Sequence, residues 1–577
     1  MPPLVPLLAH VAFFALLAAA AVPLGTWIHR VMERPGPPLG GPLGRALGRL
    51  EAWIYRTARV DPARTMPWRE YASAFLAFTG WGALVLFLLL MLQGRLPTYD
   101  PAVASTPMTW HLALNTAVSF ATTTTWQAYA GETTLSHLAQ VLGLAAQNFL
   151  AGAAGLATGM AFLRSFTRRP LEGLGNFHAD VVRAVLYLLL PMALAGTLVL
   201  VWQGVPMDFA RAVHATPLEG GLQVIVRGPV ATLEIIKNLG TAGGGFFGAN
   251  GAHPYANPTP LTQFTGMLAI ALVPAALTHT YGRMTRNPRH GWLLFWVMAA
   301  LVAATTLVTA LAEQKGGPAL AHLPVMLQAT DQQPGGNMEG KELRFGIQAT
   351  ALGMGVTAHT ATGSVNAQPA SLTPLSALAA LFSLLLGEIG FGGLGTGLSG
   401  MVVMALVSLF IGGLMVGRSP EYLGKAISIQ EMKLVAVYLL LGPAAVLVLT
   451  AVAVLVPPGL HGVAGDSATH GFTAILMAFA TCHANNGMAF GSLDGNSVFY
   501  NLTTALGMIV GRVGTILPVL ALAGHFSTRR ARPRSRGTLP PDTLSFALLL
   551  LGTALVAGAL SFLPALALGP LAGMLGG

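Results

Sequence analysis

Ten stretches of this sequence are long enough to cross a bilayer and nearly free of charge. They are roughly residues 4–28, 71–93, 135–163, 184–206, 258–282, 291–312, 372–417, 434–457, 499–525 and 543–567. A helix needs about 20 apolar residues to pass through the hydrocarbon core, so each stretch is a candidate span. Only 9% of the 577 residues are Asp, Glu, Lys or Arg, against about 25% in an ordinary soluble domain. A water-soluble chain of this length could not cover its surface with so few charges. The reading is an all-α polytopic membrane protein, which excludes a cytosolic enzyme, a nucleic-acid-binding protein and a disordered chain. The single cysteine, Cys482, excludes an intrachain disulfide and a cysteine-based zinc cage.

The placement of charge sets the expected orientation. The formal net charge is +10, and 23 of the 31 Lys and Arg fall in five loops: Arg30–Arg69, Arg164–Arg183, Arg283–Arg289, Arg418–Lys433 and Arg529–Arg536. These loops follow spans one, three, five, seven and nine. That is the positive-inside pattern, so they are expected to be cytoplasmic and both termini outside. No Lys or Arg precedes the first span, which reads as a retained anchor rather than a cleaved signal. The expected organisation is an N-terminal helix (1–30), a basic cytoplasmic loop (31–70), four repeats (71–163, 184–282, 291–417, 434–526) and a C-terminal helix and tail (543–577).

Each outer connection contains a second, shorter apolar segment: Trp110–Ala121, Pro229–Leu239, Leu343–Val356 and Gly471–Ala480. At about 1.5 Å per residue these reach roughly half a bilayer. Alone, each would suit an outer-surface amphipathic helix equally well; four in corresponding places read as re-entrant helices. A polar, small-residue stretch follows each one. The first is Thr122-Thr123-Thr124-Thr125-Trp126-Gln127, and the second is Gly240-Thr241-Ala242-Gly243-Gly244-Gly245. The third is Thr360-Ala361-Thr362-Gly363-Ser364-Val365-Asn366, and the fourth is Ala484-Asn485-Asn486-Gly487. With Thr123, Gly243, Gly363 and Gly487 taken as equivalent, the spacings are 120, 120 and 124 residues. This periodicity makes the unit a helix, a pore helix, a filter loop and a helix, used four times.

Irregular backbone at membrane depth is tolerated only where it is buried or lines a wet cavity. Four such loops around an axis present rings of carbonyl oxygens that replace the water shell of a cation. Glycine allows unusual backbone angles there, and threonine adds an uncharged oxygen. The negative C-terminal end of each short helix points at the site. With no carboxylate in any loop, a monovalent ion such as K+ suits the site better than a divalent one. The seventh stretch is too long for one crossing. Its run Gly387–Gly400 has seven glycines in fourteen residues, at about 1 kcal/mol each in a helix interior. An unwound, gating loop below the third filter loop is expected, with a kinked helix as the alternative.

Arg512 lies inside span nine, where a charge is costly and a functional role is the default expectation; snorkelling is the alternative. Glu234 and Lys237 are one helical turn apart and are expected to pair. Glu132 is placed at the outer mouth, and His111, His253, His359 and His483 read as structural. There is no Gly-x-x-x-x-Gly-Lys-Ser/Thr phosphate loop and no large soluble domain. The chain carries an ion path without an ATP-hydrolysing engine.

Several runs are specific: Asn115–Phe120, Trp126–Glu132, Gly243–Asn250, Ala252–Pro254, Phe391–Gly393, Gly417–Lys425 and Ala484–Gly487. In them, and over nearly its whole length, the chain resembles the potassium-transporting ATPase A subunit family, KdpA, of bacteria and archaea. The resemblance implies a K+ channel/transporter-like fold of four pore-loop repeats and a prokaryotic plasma (inner) membrane subunit that binds and selects K+. It implies a P-type ATPase partner (KdpB-like) that hydrolyses ATP with Mg2+. A single-span accessory subunit (KdpC-like) and a small membrane peptide (KdpF-like) complete the assembly, with membrane lipid around it and no nucleic acid. It further implies that ions leave the filter through an intersubunit tunnel. Gln127 would lie near the filter and tunnel mouth, Thr396 would be the small hydroxyl residue of a gating loop with Gly395 and Gly397, and Arg512 the basic residue under the pore.

The chain departs from the family pattern in its loops. The first often reads Thr-Asn-Thr-Asn, but here it is Thr122–Thr125. In the second Ala242 replaces an Asn, and in the third Thr362 replaces a Cys. Carbonyl ligation uses backbone and survives such changes; loss of the Asn side chains is expected to loosen the hydrogen-bond support of the loops and to change K+ affinity or K+/Na+ discrimination. The competing readings are an autonomous, gradient-driven K+ or Na+ transporter of the same superfamily and a metabolite transporter with discontinuous helices. Four repeats, rather than two inverted halves, oppose the latter.

Overall fold

The structure, a computed structural model, describes residues 4–575 apart from 35, 97–105, 168–172, 211, 318–322, 331–332, 334, 388, 416, 418–419, 464–467 and 531–539. Glu388 of the glycine run, Arg418 and Ser419 of the Gly417–Lys425 run, and Arg168, Arg169, Arg532, Arg534 and Arg536 of the basic loops therefore lie outside the described residues.

Among the described residues ten helices are long and apolar enough to span a membrane: Leu8–Glu33, Trp68–Arg95, Ala139–Thr167, Phe177–Trp202, Pro260–Met284, Pro288–Lys315, Thr396–Met415, Ile429–Leu455, Val498–Thr528 and Leu544–Met574. Each overlaps one predicted span, and the chain is a polytopic helical membrane protein. Burial sorts them. The windows of Ala139–Thr167, Pro260–Met284 and Thr396–Met415 are about two-thirds or more buried, whereas Trp68–Arg95 and Ile429–Leu455 are 17% buried. The former build the core and the latter present apolar side chains outward, as lipid-facing helices must.

The seventh stretch divides into Pro374–Leu385 and Thr396–Met415. The break is shorter than the glycine run suggests. Gly387, Phe391, Gly392 and Gly395 all have positive φ. From Thr396 onward the helix resumes, with Gly397 N donating to Gly393 O and Ser399 N to Gly395 O. Glycine weakens a helix by about 1 kcal/mol but does not forbid one; buried surroundings recover Gly397 and Gly400 for the helix.

The four short helices are Trp110–Ala121, Val230–Leu239, Gly346–His359 and Ala468–His483. The last two run three residues past their predicted apolar ends, because Thr357–His359 and Thr481–His483 continue the helix into protein rather than lipid. The first basic loop contains a helix the hydropathy reading did not predict, Gly41–Thr57. It exposes Leu43, Leu50 and Trp53 beside Arg45, Arg49 and Arg56.

Polar side chains brace the basic face. Arg164, 1% exposed, donates to Glu33 Oε1 at 2.6 Å and to both carboxylate oxygens of Asp180 at 2.5 and 2.9 Å, joining spans one, three and four. The specific run near residue 420 forms a small hairpin, Glu421–Tyr422 paired with Lys425–Ala426. From it Lys425 Nζ donates to Ser165 O at 2.5 Å and Phe526 O at 2.7 Å. Those carbonyls lie in the last turns of spans three and nine, where intrahelical donors run out.

Candidate functional site

The short-helix ends fix the register of the loops. Four residues past the last helical residue lie Thr125, Gly243, Gly363 and Gly487. Two residues past it lie Thr123, Thr241, Ala361 and Asn485. The true equivalent of the three glycines is therefore Thr125 rather than Thr123, which corrects the sequence alignment by two residues. Residue type alone could not show this, because the first loop has no glycine to mark the place. Positive φ follows the same register: Thr123 (65°), Thr241 (49°) and Asn485 (49°) at the second position, and Thr125 (55°), Gly363 (69°) and Gly487 (84°) at the fourth.

The four loops meet in a closed ring. A Cβ on Gly243 would lie 2.2 Å from Thr362 O, one on Gly363 2.2 Å from Asn486 O, and one on Gly487 2.0 Å from Thr124 O. Loop two thus abuts loop three, loop three abuts loop four, and loop four returns to loop one. At these three seams a carbonyl oxygen occupies the space that glycine leaves. The remaining seam, between loops one and two, shares this close approach, a Cβ on Gly244 lying 2.3 Å from Thr125 O, and adds a hydroxyl clasp. Thr125 Oγ1 accepts from Gly243 N at 2.6 Å and Gly244 N at 2.8 Å, and donates to Thr124 O at 2.8 Å.

Side chains tie neighbouring loops further. Asn485 Nδ2 donates to Thr124 Oγ1 at 2.9 Å. Asn486 Nδ2 donates to Thr357 O and Thr360 O at 2.6 and 2.7 Å. Gln127 Oε1 accepts from Gly245 N at 3.0 Å, and Glu132 Oε2 from Gly248 N at 2.8 Å. Burial raises the Glu132 carboxyl above its ordinary pKa, opposed by hydrogen bonds from its own backbone amide and that of Gly248. Glu234 and Lys237 pair at 2.8 Å, as expected. No spacing in the sequence points to the next link: Lys237 Nζ donates to Asn250 Oδ1 at 2.7 Å, and Asn250 Nδ2 donates to Gly243 O at 2.5 Å.

A cavity of about 370 Å³ opens on the face opposite the basic loops. It touches all four loops, at Thr125 and Gln127, at Gly244, at Gly363 and Val365, and at Gly487, together with Asn250. On the other side of the ring lies a smaller one of about 110 Å³, bordered by Asn485, Thr396, Tyr438 and Gly442. The unwound segment hangs directly below the ring. Leu394 N donates to Thr241 Oγ1 at 3.3 Å, and Gly392 N to His359 O at 3.1 Å. Gly395 packs on span three so closely that a Cβ would lie 2.3 Å from Gly155 O. Arg512, 2% exposed, does not snorkel; its Nη2 donates to Ala151 O at 3.1 Å on span three. Its guanidinium and the Leu394 carbonyl flank Gly155.

The expected filter residues Thr122–Thr125, Gly240–Gly243, Thr362, Gly363, Ser364 and Asn485–Gly487 all lie in or against this ring, with Gln127 on its wide side and Gly395, Thr396, Gly397 and Arg512 on its narrow side. The histidines are dispersed. His359 bonds Thr305 Oγ1 at 2.9 Å, and His111 bonds Asn501 at 2.9 Å. His253 stacks on Phe247 with centroids 3.6 Å apart. Among the described residues no three His, Cys, Asp or Glu are grouped to hold a metal ion.

Ten spans, four re-entrant helices and four carboxylate-free loops closing on one axis define a pore-loop membrane protein. The Potassium-transporting ATPase A subunit family matches residues 11–575, and the chain belongs to it. It is 47% identical to the potassium-transporting ATPase potassium-binding subunit of Anaeromyxobacter dehalogenans (strain 2CP-C), over 97% of this chain and 96% of that one. It is also 47% identical to the subunit so named in Sorangium cellulosum (strain So ce56), over 97% of each chain. Among solved structures, the potassium transporter TrkH from Vibrio parahaemolyticus aligns with TM-score 0.49 and 14% identity, over 77% of this chain and 85% of that one.

Proposed function

We propose that this chain is the K+-binding and translocating subunit of an ATP-driven K+ uptake complex. The observation that carries the reading is the closed ring of four loops, each at the C-terminal end of a short helix and none with a carboxylate. Crowded carbonyl oxygens at negative helix ends suit a dehydrated monovalent cation. Close relatives named as potassium-binding subunits support the same substrate. The 370 Å³ cavity collects ions, the ring selects them, and the segment around Gly395, Thr396 and Gly397 gates their exit. Arg512 discourages straight passage to the basic face, by charge repulsion.

The basic loops face the cytoplasm, both termini face outward, and the site is a bacterial inner membrane. ATP and Mg2+ act through a P-type ATPase partner, KdpB-like, with KdpC-like and KdpF-like accessory subunits. The ion path toward that partner begins near Gln127 and the ring.

Rb+ uptake in cells lacking other K+ uptake systems tests this. With the partners co-expressed, uptake should require ATP and be competed by K+. Uptake by the chain alone that tracks membrane potential would overturn the reading in favour of an autonomous transporter.

A further inference from the structure

One quadrant of the ring is supported by a charge. Lys237 lies in the last turn of the second short helix with its side chain fully buried. The other three short helices carry no Lys or Arg in their last turn. Burying an ammonium is costly unless it is paired. Glu234 pairs with it at 2.8 Å, and the helix C-terminus adds favourable dipole. The ammonium also does something the pair alone does not require: it donates to Asn250 Oδ1 at 2.7 Å, which Gly251 N also holds at 2.8 Å. With the oxygen so fixed, the amide must present Nδ2 to the Gly243 carbonyl, at 2.5 Å. Among the described residues no side chain donates to the carbonyl of Thr125, Gly363 or Gly487, which lie at the same level.

We infer that Lys237 and Asn250 are positioning residues that set ion discrimination: the strut occupies one lone pair of the Gly243 carbonyl and fixes its direction, making the second quadrant a held ligand beside three unrestrained ones. The strut approaches from the wide cavity, which Asn250 borders. It rests on the K+-selecting function proposed above. It also supplies what the second loop lacks, since glycines offer no side chain to orient their own carbonyls.

The test uses the assembled complex, with Rb+ uptake competed by K+ and Na+. In Lys237→Met and in Asn250→Ala the KM for K+ should rise about tenfold, as expected for loss of a charge-assisted hydrogen bond. Na+ should compete at correspondingly lower concentration, with maximal rate nearly unchanged. Lys237→Arg, which keeps a donor, should restore most of the KM. Asn250→Ala leaves the Glu234–Lys237 pair intact, so it carries the test if Lys237→Met does not assemble. Assembled variants with wild-type KM and Na+ competition would overturn the strut alone. A wild-type complex that takes up no Rb+ would overturn both the strut and the function beneath it.

Discussion

The first filter loop is four threonines in a row, and the second is mostly glycine. Both follow a short helix and both place a residue of positive φ two positions beyond it, Thr123 and Thr241. Where the second loop reaches its close approach with Gly243, the first uses Thr125, a β-branched residue at φ 55°. Such a residue is strained there. The strain is offset by the bonds its hydroxyl makes: one donated to the preceding carbonyl and two accepted from the neighbouring loop. The glycine loop has no strain at Gly243 but no means of orienting itself, and takes support from Lys237 and Asn250 outside it. One backbone path is thus held from within in one repeat and from without in the next.

The largest effect expected is for Gly243→Ala. Its Cβ would lie 2.2 Å from one backbone oxygen and 2.6 Å from a backbone carbon of loop three, with no flexible neighbour to yield. Overpacking of this kind costs about 1–3 kcal/mol or more, and Rb+ uptake should be abolished. Gly240→Ala, whose Cβ would have 3.1 Å to its nearest neighbour, should retain uptake. If both variants transport normally, the ring is not closely packed.

Thr125→Val comes next. It keeps the shape and removes the hydroxyl, stranding the Gly243 and Gly244 amides at about 1–3 kcal/mol for each buried donor left unsatisfied. Thermal unfolding in detergent should shift down, while Thr125→Ser stays near wild type. Equal unfolding temperatures for the valine and serine variants would show that the seam does not depend on the hydroxyl.

The outer wing of the second loop titrates. Burial, with the Arg344 charge nearby, lowers His253 from 6.5 to about 4. As pH falls below about 6.5 the unfolded chain takes up this proton first, so stability present at neutral pH is lost progressively toward pH 4. A stability profile over that window should flatten in His253→Gln. An unchanged profile would remove His253 from the account.

The smallest effect belongs to Thr123→Asn. An L-residue in the left-handed region costs about 1–2 kcal/mol, less for Asn. The replacement, which matches the family pattern, should raise the unfolding midpoint by the equivalent of about 0.5–1 kcal/mol. A lowered midpoint would mean that the Thr123 hydroxyl, which donates to Thr122 O at 2.5 Å, outweighs the strain.

Hydropathy carried the ten spans and the first short helix to its terminal residues, because lipid leaves helices no alternative. It failed where protein replaces lipid as the solvent. The third and fourth short helices continue through threonine and histidine, and Thr396–Gly400 is helical despite its glycines. The Glu234–Lys237 pair was visible as a one-turn spacing. Asn250, 13 residues from Lys237, was not, since the intervening chain has no period to bring it back. The loop register was hidden for a related reason: Thr125 does the work of a glycine without being one.

The seam between the fourth and first loops has a consequence for how the molecule is made. Asn485 and Thr124, which touch there, are 361 residues apart in the chain. At about 5–20 residues per second of synthesis, roughly 20–70 s separate the appearance of the two. For that interval the first repeat sits in the bilayer with an irregular segment and no fourth neighbour to cover it. The nascent chain must shelter this segment with bound water or with the insertion machinery, and only the last quarter of translation can seal it.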